Sequence, residues 1–197
     1  MKRIHIIGSV GSGKTTLARR LSSELGLPFY ELDNVVWKRT PAGDVRRTDE
    51  ERDACLAGIA QADDWITEGA HQAGWIGPCL ERAERIVFLD TPYSVRFRRI
   101  ISRFIRQKTR REQANYKPTW TILWKMFSWN HQFQTEGRLE AMELLKPYEH
   151  KVLILKDNRL PHASILAEAR EGKQAVAQTG SFFHDAPSIK INQTKEK

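Results

Sequence analysis

Cysteine is scarce: the 197 residues hold only Cys55 and Cys79, and the two fall in no C-x-x-C or metal-binding spacing. That excludes a disulfide-stapled scaffold and a thiolate metal site, and leaves two free thiols as the expectation. Long apolar runs are lacking too. None approaches the ~20 residues that cross a bilayer, so no membrane partner is expected. The opening run Ile4-His5-Ile6-Ile7 is too short for the core of a signal peptide. A cytoplasmic protein is the expected setting. No internal repeat is present, and acids are the minority charge, 24 against 32 Lys and Arg, for a net charge of +8. Such an excess implies an anionic partner: a nucleotide, a phosphorylated metabolite or a nucleic acid. With 40% hydrophobic residues and mixed charges the chain reads as globular, and its length is that of one domain.

What the chain does have is concentrated at its start. Arg3-Ile4-His5-Ile6-Ile7 reads as a short strand, and Gly8-Ser9-Val10-Gly11-Ser12-Gly13-Lys14-Thr15 matches G-x-x-x-x-G-K-[ST]. Thr16-Leu17-Ala18-Arg19-Arg20-Leu21 then opens a helix. Glycines let consecutive main-chain N–H groups approach phosphate oxygens without Cβ atoms in the way. The helix N-terminus behind them favours an anion. Lys14 can reach the β- and γ-phosphates, and the Thr15 hydroxyl can ligate Mg²⁺. A strand before the motif and a helix after it are the context the motif requires.

Further along, Gly26 and Pro28 end the first helix, and Leu27 to Asp33 reads as a second strand carrying carboxylates at its end. Trp37 to Arg47 reads as an open loop. Thr48 with Glu51 three residues on forms a capping box for a helix through Ala60. Asp64 to Gly69 is a third strand, and a brief helix comes after Gly77-Pro78. Arg85 to Asp90 is the clearest strand, apolar throughout as a strand covered on both faces should be. Helices are expected over Tyr93 to Arg111, Arg138 to Lys146 and Ile165 to Arg170, with a last strand over His150 to Leu155. Five strands alternating with helices predict an α/β fold of three layers around a five-stranded parallel sheet. Residues 1–171 form the expected domain, with a helical, arginine-rich lid at about 96–135; 172–197 reads as a polar tail, loosely attached or disordered.

Ligands of open α/β sheets bind beyond the carboxyl ends of the strands, where Asp33, Glu68 and Asp90 are predicted to lie. Asp90 comes after an apolar run as a Walker-B acid does, and would either hold Mg²⁺ through water or cap the next helix. Asp33 is the choice for contact with an acceptor hydroxyl, as its base. Glu31 shares that role or is a surface residue; Glu68, beside Gly69, would touch Mg²⁺ or acceptor, or be a solvated acid. His71 would reach the acceptor from the next loop, or be solvated.

No acid occurs between Arg96 and Arg111, where eight Lys and Arg residues fall. At 3.6 residues per turn Arg96, Arg99, Arg103, Arg106 and Arg110 share one face, opposite Phe97, Ile100, Ile101, Phe104 and Ile105. Like charges four apart repel, so an anion should face the row. It is a triphosphate under a closing lid, with Arg103 and Arg106 on the transferring group, or a nucleic-acid backbone along the basic 96–111 helix; a solvated face is the plain alternative. Trp120, Trp124 and Phe127, at helical spacing with Leu123, should pack core under the lid; the alternative is a stacking platform for bases.

Together these residues resemble the adenylate-kinase-like branch of P-loop small-molecule kinases, and more narrowly the bacterial topology modulation proteins within it. The carrying segments are Gly8 to Thr15, Glu31-Leu32-Asp33, Trp65 to Gly69, Asp90-Thr91-Pro92 with its downstream arginines, the Trp-rich segment and Val152 to Leu155. The resemblance implies a P-loop NTPase fold, ATP and Mg²⁺ as cofactors, and a small-molecule acceptor. It implies that Arg99 covers the adenine, that Arg103 reaches the phosphates, and that a base-binding loop falls near Lys156-Asp157-Asn158-Arg159. Phe29 to Asp33 also resembles the acid-bearing strand of shikimate-type kinases, whose second acid holds an acceptor hydroxyl. Two departures stand out: Glu68-Gly69 replaces the relatives' Asp-Gly, and the nucleoside-monophosphate signature of true adenylate kinases is absent. Phosphoryl transfer from ATP to a small acceptor is the leading expectation. A nucleotide-gated DNA-binding protein and a nucleotide-binding regulator without turnover are the rivals, although no helix-turn-helix, zinc-finger or RRM motif is present.

Overall fold

Strand β1 (Arg3–Gly8) is the centre of the molecule, as its apolar run requires: five of its six residues are buried. The computed structural model describes residues 1–41, 43–109, 111 and 118–158. Around β1 a parallel sheet of five strands forms in the order β2 (Phe29–Glu31), β5 (Trp65–Gly69), β1, β6 (Arg85–Leu89), β7 (Val152–Leu155). β3 (Trp37–Thr40) and β4 (Gly43–Arg46) form a separate antiparallel hairpin.

The two faces of the sheet arise from the period of two along its strands. On one face Ile4, Ile6, Ile66, Val87 and Leu89 pack against Leu17, Ala18 and Leu21 of α1 (Lys14–Leu25). On the other, Ile7, Trp65, Ile86, Phe88 and Val152 meet α3 (Asp49–Gln61), α4 (Gly77–Arg82) and α7 (Arg138–Leu145). A third cluster, Ile100, Phe104, Leu123 and Met126, joins α5 (Tyr93–Lys108) to α6 (Trp120–Gln132). The three-layer α/β architecture expected from the sequence is the one observed.

Local signals read from the sequence act as expected at several ends. Gly26 closes α1 at φ 69°, its N–H donating to the Ser22 carbonyl, and the Thr48–Glu51 capping box opens α3. Both cysteines are free, and burial pushes the Cys79 thiol up to about 11.

Four readings need correction. Asp33 does not end a strand: β2 stops at Glu31, and Leu32, Val35 and Val36 bury one side of the short helix α2 (Leu32–Val36). Residues 37–47 are not an open loop but carry the β3–β4 hairpin, pinned by an ion pair between Arg39 and Asp44 and by Thr40 Oγ1 donating to the Gly43 carbonyl. Trp120 and Trp124 do not pack core, being 65% and 69% exposed. Leu123, Met126 and Asn130 line the packed face of α6, and Trp124 sits ~100° round from Leu123. Finally, Arg96 is buried beneath its helix while Ile105 is exposed, so the two faces of α5 are less clean than their spacing implies. Arg110 and Arg159, the expected helix over 165–170 and the expected tail over 172–197 lie outside the described residues.

Candidate phosphate and acceptor site

The loop between β1 and α1 takes the shape its glycines permit. Gly11 and Gly13 have φ of 74° and 94°, a region open to glycine and costly for other residues. Each is also pressed from outside. A Cβ on Gly11 would lie 2.8 Å from the Arg96 carbonyl oxygen, and one on Gly13 would lie 2.5 Å from Asn158 Nδ2. Gly8 is tight as well, with Ser12 Oγ 2.9 Å from where its Cβ would be. Val10 packs against the α5–α6 cluster, while Ser9 and Ser12 are buried and Thr16 is exposed.

The outer carbonyls of this loop are occupied by side chains. Ser12 O accepts from Arg99 Nη1 at 2.7 Å and from Thr91 Oγ1 at 3.1 Å, and Gly13 O accepts from Asn158 Nδ2 at 3.3 Å. Lys14 Nζ folds back to donate to Ser9 O at 3.3 Å. Since each peptide unit is planar, a carbonyl held outward leaves the next N–H facing the opposite way. The loop is thereby set to present donors to an anion at the N-terminus of α1.

Glu68 lies directly under this loop. Its Oε1 accepts from Thr15 Oγ1 at 2.8 Å, whereas its buried Oε2 has no partner among the described residues. Burial pushes the Glu68 carboxyl up, against the pull of Lys14 and the Thr15 hydrogen bond. A buried carboxylate oxygen without a donor, whose twin lies 2.8 Å from a threonine hydroxyl, suits a hydrated cation. Mg²⁺ keeps several of its waters and takes one or two protein ligands. Thr15 and Glu68 therefore fit it, even though the described residues hold no group of three or more His, Cys, Asp or Glu able to bind a metal.

A second carboxylate sits on the rim. Asp33, exposed on the first turn of α2, accepts from His71 Nε2 at 3.0 Å. That hydrogen bond holds the Asp33 carboxyl below the usual carboxylate range, with Lys14 and Arg39 acting in the same direction. His71 in turn lies against Trp75, with ring centroids 5.1 Å apart. Gly69 is needed where the chain leaves β5, because a Cβ there would sit 3.0 Å from Leu32. Glu31 pairs with Arg19 at 3.1 Å.

Asp90 behaves differently from either expectation. It caps no helix, since α5 begins after Pro92 without a side-chain cap. Its carboxylate is taken by Arg138, from Nε at 2.9 Å and Nη2 at 3.0 Å, and by Lys156 Nζ at 2.5 Å. A metal there would have to displace two cations. The arginine row divides in the same way. Arg96 turns inward to Gln134 Oε1 and the Phe133 ring. Arg99 bonds the loop, whereas Arg103 donates to Met126 Sδ and Arg106 to Ser102 Oγ. The sequence reading named Thr91 and Lys156 only as parts of motifs and gave Arg138 no role, so it foresaw none of these contacts. Nothing local marks them, for their partners lie 48 to 79 residues away.

Comparison with known proteins finds a family likeness in the amino-terminal part. The family model described as shikimate kinase matches residues 10–50. A shikimate kinase of Paracidovorax citrulli is 53% identical over 36 residues, 18% of this chain and 20% of that protein. A Bacillus subtilis protein, YqaC, is 32% identical over 101 residues, 50% of this chain and 54% of that one. The chain thus spans about a fifth of the length of the shikimate kinases it matches, and about half of YqaC. Among solved structures, shikimate kinase from Acinetobacter baumannii in complex with shikimate superposes with a TM-score of 0.53. That likeness covers 89% of this chain and 96% of the other at 19% identity, and it establishes a shared fold.

Proposed function

We propose that this protein is an ATP- and Mg²⁺-dependent kinase that moves a phosphoryl group onto a hydroxyl of a small acceptor. The observation that carries the reading is a pair of carboxylates in opposite settings, one buried on Thr15 and one exposed on His71, both within the electrostatic reach of Lys14. Glu68 is buried and raised next to Thr15, and Asp33 is lowered by His71 at the open rim. Two acids whose environments push them apart have separate tasks. Glu68, with Thr15, would hold the metal; bound Mg²⁺ neutralises charge on the phosphates. Asp33 stays ionised and would accept the proton of the attacking hydroxyl, with His71 fixing its orientation. Lys14 would leave Ser9 O for the transferring group, and Arg99 would lie over the nucleotide beside Asn158.

Acceptor and lineage are also proposals. The match over residues 10–50 includes α2 and the hairpin, which favours a hydroxylated acceptor of the kind shikimate kinases are named for. The narrower likeness to topology modulation proteins rests on sequence motifs alone, chiefly Gly8 to Thr15 and Asp90-Thr91-Pro92. Asp90 is not proposed as a metal ligand, because Arg138 and Lys156 hold it.

A panel of small alcohols, sugars, hydroxy acids including shikimate, and nucleosides, assayed for ADP release with ATP and Mg²⁺, tests the reading. At least one hydroxylated acceptor should stimulate release, and Lys14→Ala should lower it at least ~100-fold. Release that no acceptor stimulates, or that survives Lys14→Ala, would overturn it.

A further inference from the structure

We infer that Asp90 is a positioning residue for nucleotide binding: it anchors the segment Lys156-Asp157-Asn158 against the phosphate loop. The inference rests on the proposal that the loop binds a nucleotide. Asp90 grips the exit of β7 twice. Its main-chain N–H donates to the Leu155 carbonyl at 2.8 Å, and its side chain takes Lys156 Nζ at 2.5 Å. The same carboxylate is fastened to the start of α7 by both Arg138 bonds, and its side chain is only 7% exposed.

The two residues after Lys156 touch the loop and its arginine. Asp157 Oδ1 and Asn158 Oδ1 accept from Arg99 Nη2 at 3.1 and 2.9 Å, and Asn158 Nδ2 donates to Gly13 O. Arg99 reaches Ser12 O, and Thr91, the neighbour of Asp90, reaches the same carbonyl. The Ser12 carbonyl is therefore held by the side chains of Arg99 and Thr91, and the Gly13 carbonyl, already bound by the Leu17 N–H at 3.0 Å in the first turn of α1, takes Asn158 as a second donor. Through peptide planarity these two carbonyls orient the N–H groups of Gly13 and Lys14, which would meet phosphate oxygens. Burial alone would raise the Asp90 carboxyl, yet Arg138 and Lys156 prevail and hold it low. Ionised Asp90 is thus the charge that keeps Lys156 in place, and its loss would let Asn158 and Arg99 drift from the loop.

The test separates this role from metal ligation by titrating fluorescent ADP and ATP with Mg²⁺ or with EDTA. Asp90→Asn and Lys156→Met should each weaken binding about tenfold under both conditions, leaving the ratio between them as in the wild type. Lys156→Arg, which keeps the charge, should bind as the wild type does, and Glu68→Gln should lose the Mg²⁺ enhancement alone. Lys156→Met leaves the Asp90–Arg138 pair intact, so the test stands even if Asp90→Asn does not fold. If Asp90→Asn loses only the Mg²⁺-dependent increment, or Lys156→Met binds as the wild type does, the inference is overturned. If the wild type binds neither nucleotide, the nucleotide reading itself fails, and this one with it.

Discussion

At the scale of single residues, Asp33 carries the sharpest chemical claim. Its hydrogen bond from His71 keeps it ionised where an ordinary carboxyl would begin to protonate. Asp33 should therefore stay ionised as pH falls through the usual carboxylate value, and the acid limit of transfer should be set by Glu68, whose raised carboxyl takes up a proton first and gives up the metal. Asp33→Asn should lower kcat ~10²–10⁴-fold with the KM for ATP unchanged, as removal of a general base does; a collapse of ATP affinity would disprove the role. His5 makes a separate claim about stability. It is fully buried in β1, and burial, with a smaller push from His71, lowers its pKa to about 4. Between pH 6.5 and about 4 the unfolded chain then binds the proton that folded His5 refuses, so stability falls as pH falls through that window. The loss is on the order of 3 kcal/mol. Raised Glu68 titrates with the opposite sign, since its folded form holds a proton longer than the unfolded chain does. The check is therefore the difference between His5→Val and wild type in denaturant melts at each pH, which should shrink or change sign on acidification. Lys14 and Thr15 were legible in the sequence because their motif is contiguous. The His71–Asp33 bond was not, because it spans 38 residues and depends on where β5 ends and α2 begins.

At the scale of elements, α6 tests how amphipathic spacing is read. Leu123 and Trp124 are adjacent, yet Leu123 is buried between α5 and α6 and Trp124 is 69% exposed. Leu123→Ala should cost ~2–4 kcal/mol as a cavity-forming change, and Trp124→Gln within ~0.5 kcal/mol as a surface one. Chemical denaturation of both variants measures it; equal losses would mean that Trp124 is covered in solution. The sequence showed helical spacing over Trp120 to Phe127 but not which stripe faced inward, because Trp120, Ile122, Leu123, Trp124, Met126, Phe127 and Trp129 put apolar groups all round the helix. The same ambiguity misled the reading of α5, where Arg96 is one of a regular series of arginines and yet goes inside. Its helix meets the phosphate loop there, with the Arg96 carbonyl near Gly11. The hairpin was missed for another reason: its strands are four residues each, polar, and paired mainly with one another.

At the scale of the whole molecule, the site joins the start of the chain to residue 158, so ligand binding should stabilise the fold as a unit. A nucleotide held at a hundred times its Kd adds ~2.7 kcal/mol to the folded state. For a chain of this size that is a rise in Tm of ~5–10 °C. A non-hydrolysable ATP analogue with Mg²⁺ should produce this shift in the wild type and none in Lys14→Ala. A wild type that does not respond would contradict the proposed function.

The sequence by itself determined the five strands of the parallel sheet, most of the helices and the phosphate loop, because each is written in one short contiguous stretch, and their alternation implied the three-layer plan. Apolar runs, caps and glycines act on neighbours in the chain, and their physics is local. Only the tertiary structure decided which acid does what. Glu68, Asp33 and Asp90 look alike as strand-end carboxylates, and what distinguishes them is the partner each meets across the sheet: a threonine hydroxyl, a histidine, or an arginine with a lysine. Charge and burial at a point depend on everything that converges there, and convergence is a property of the fold.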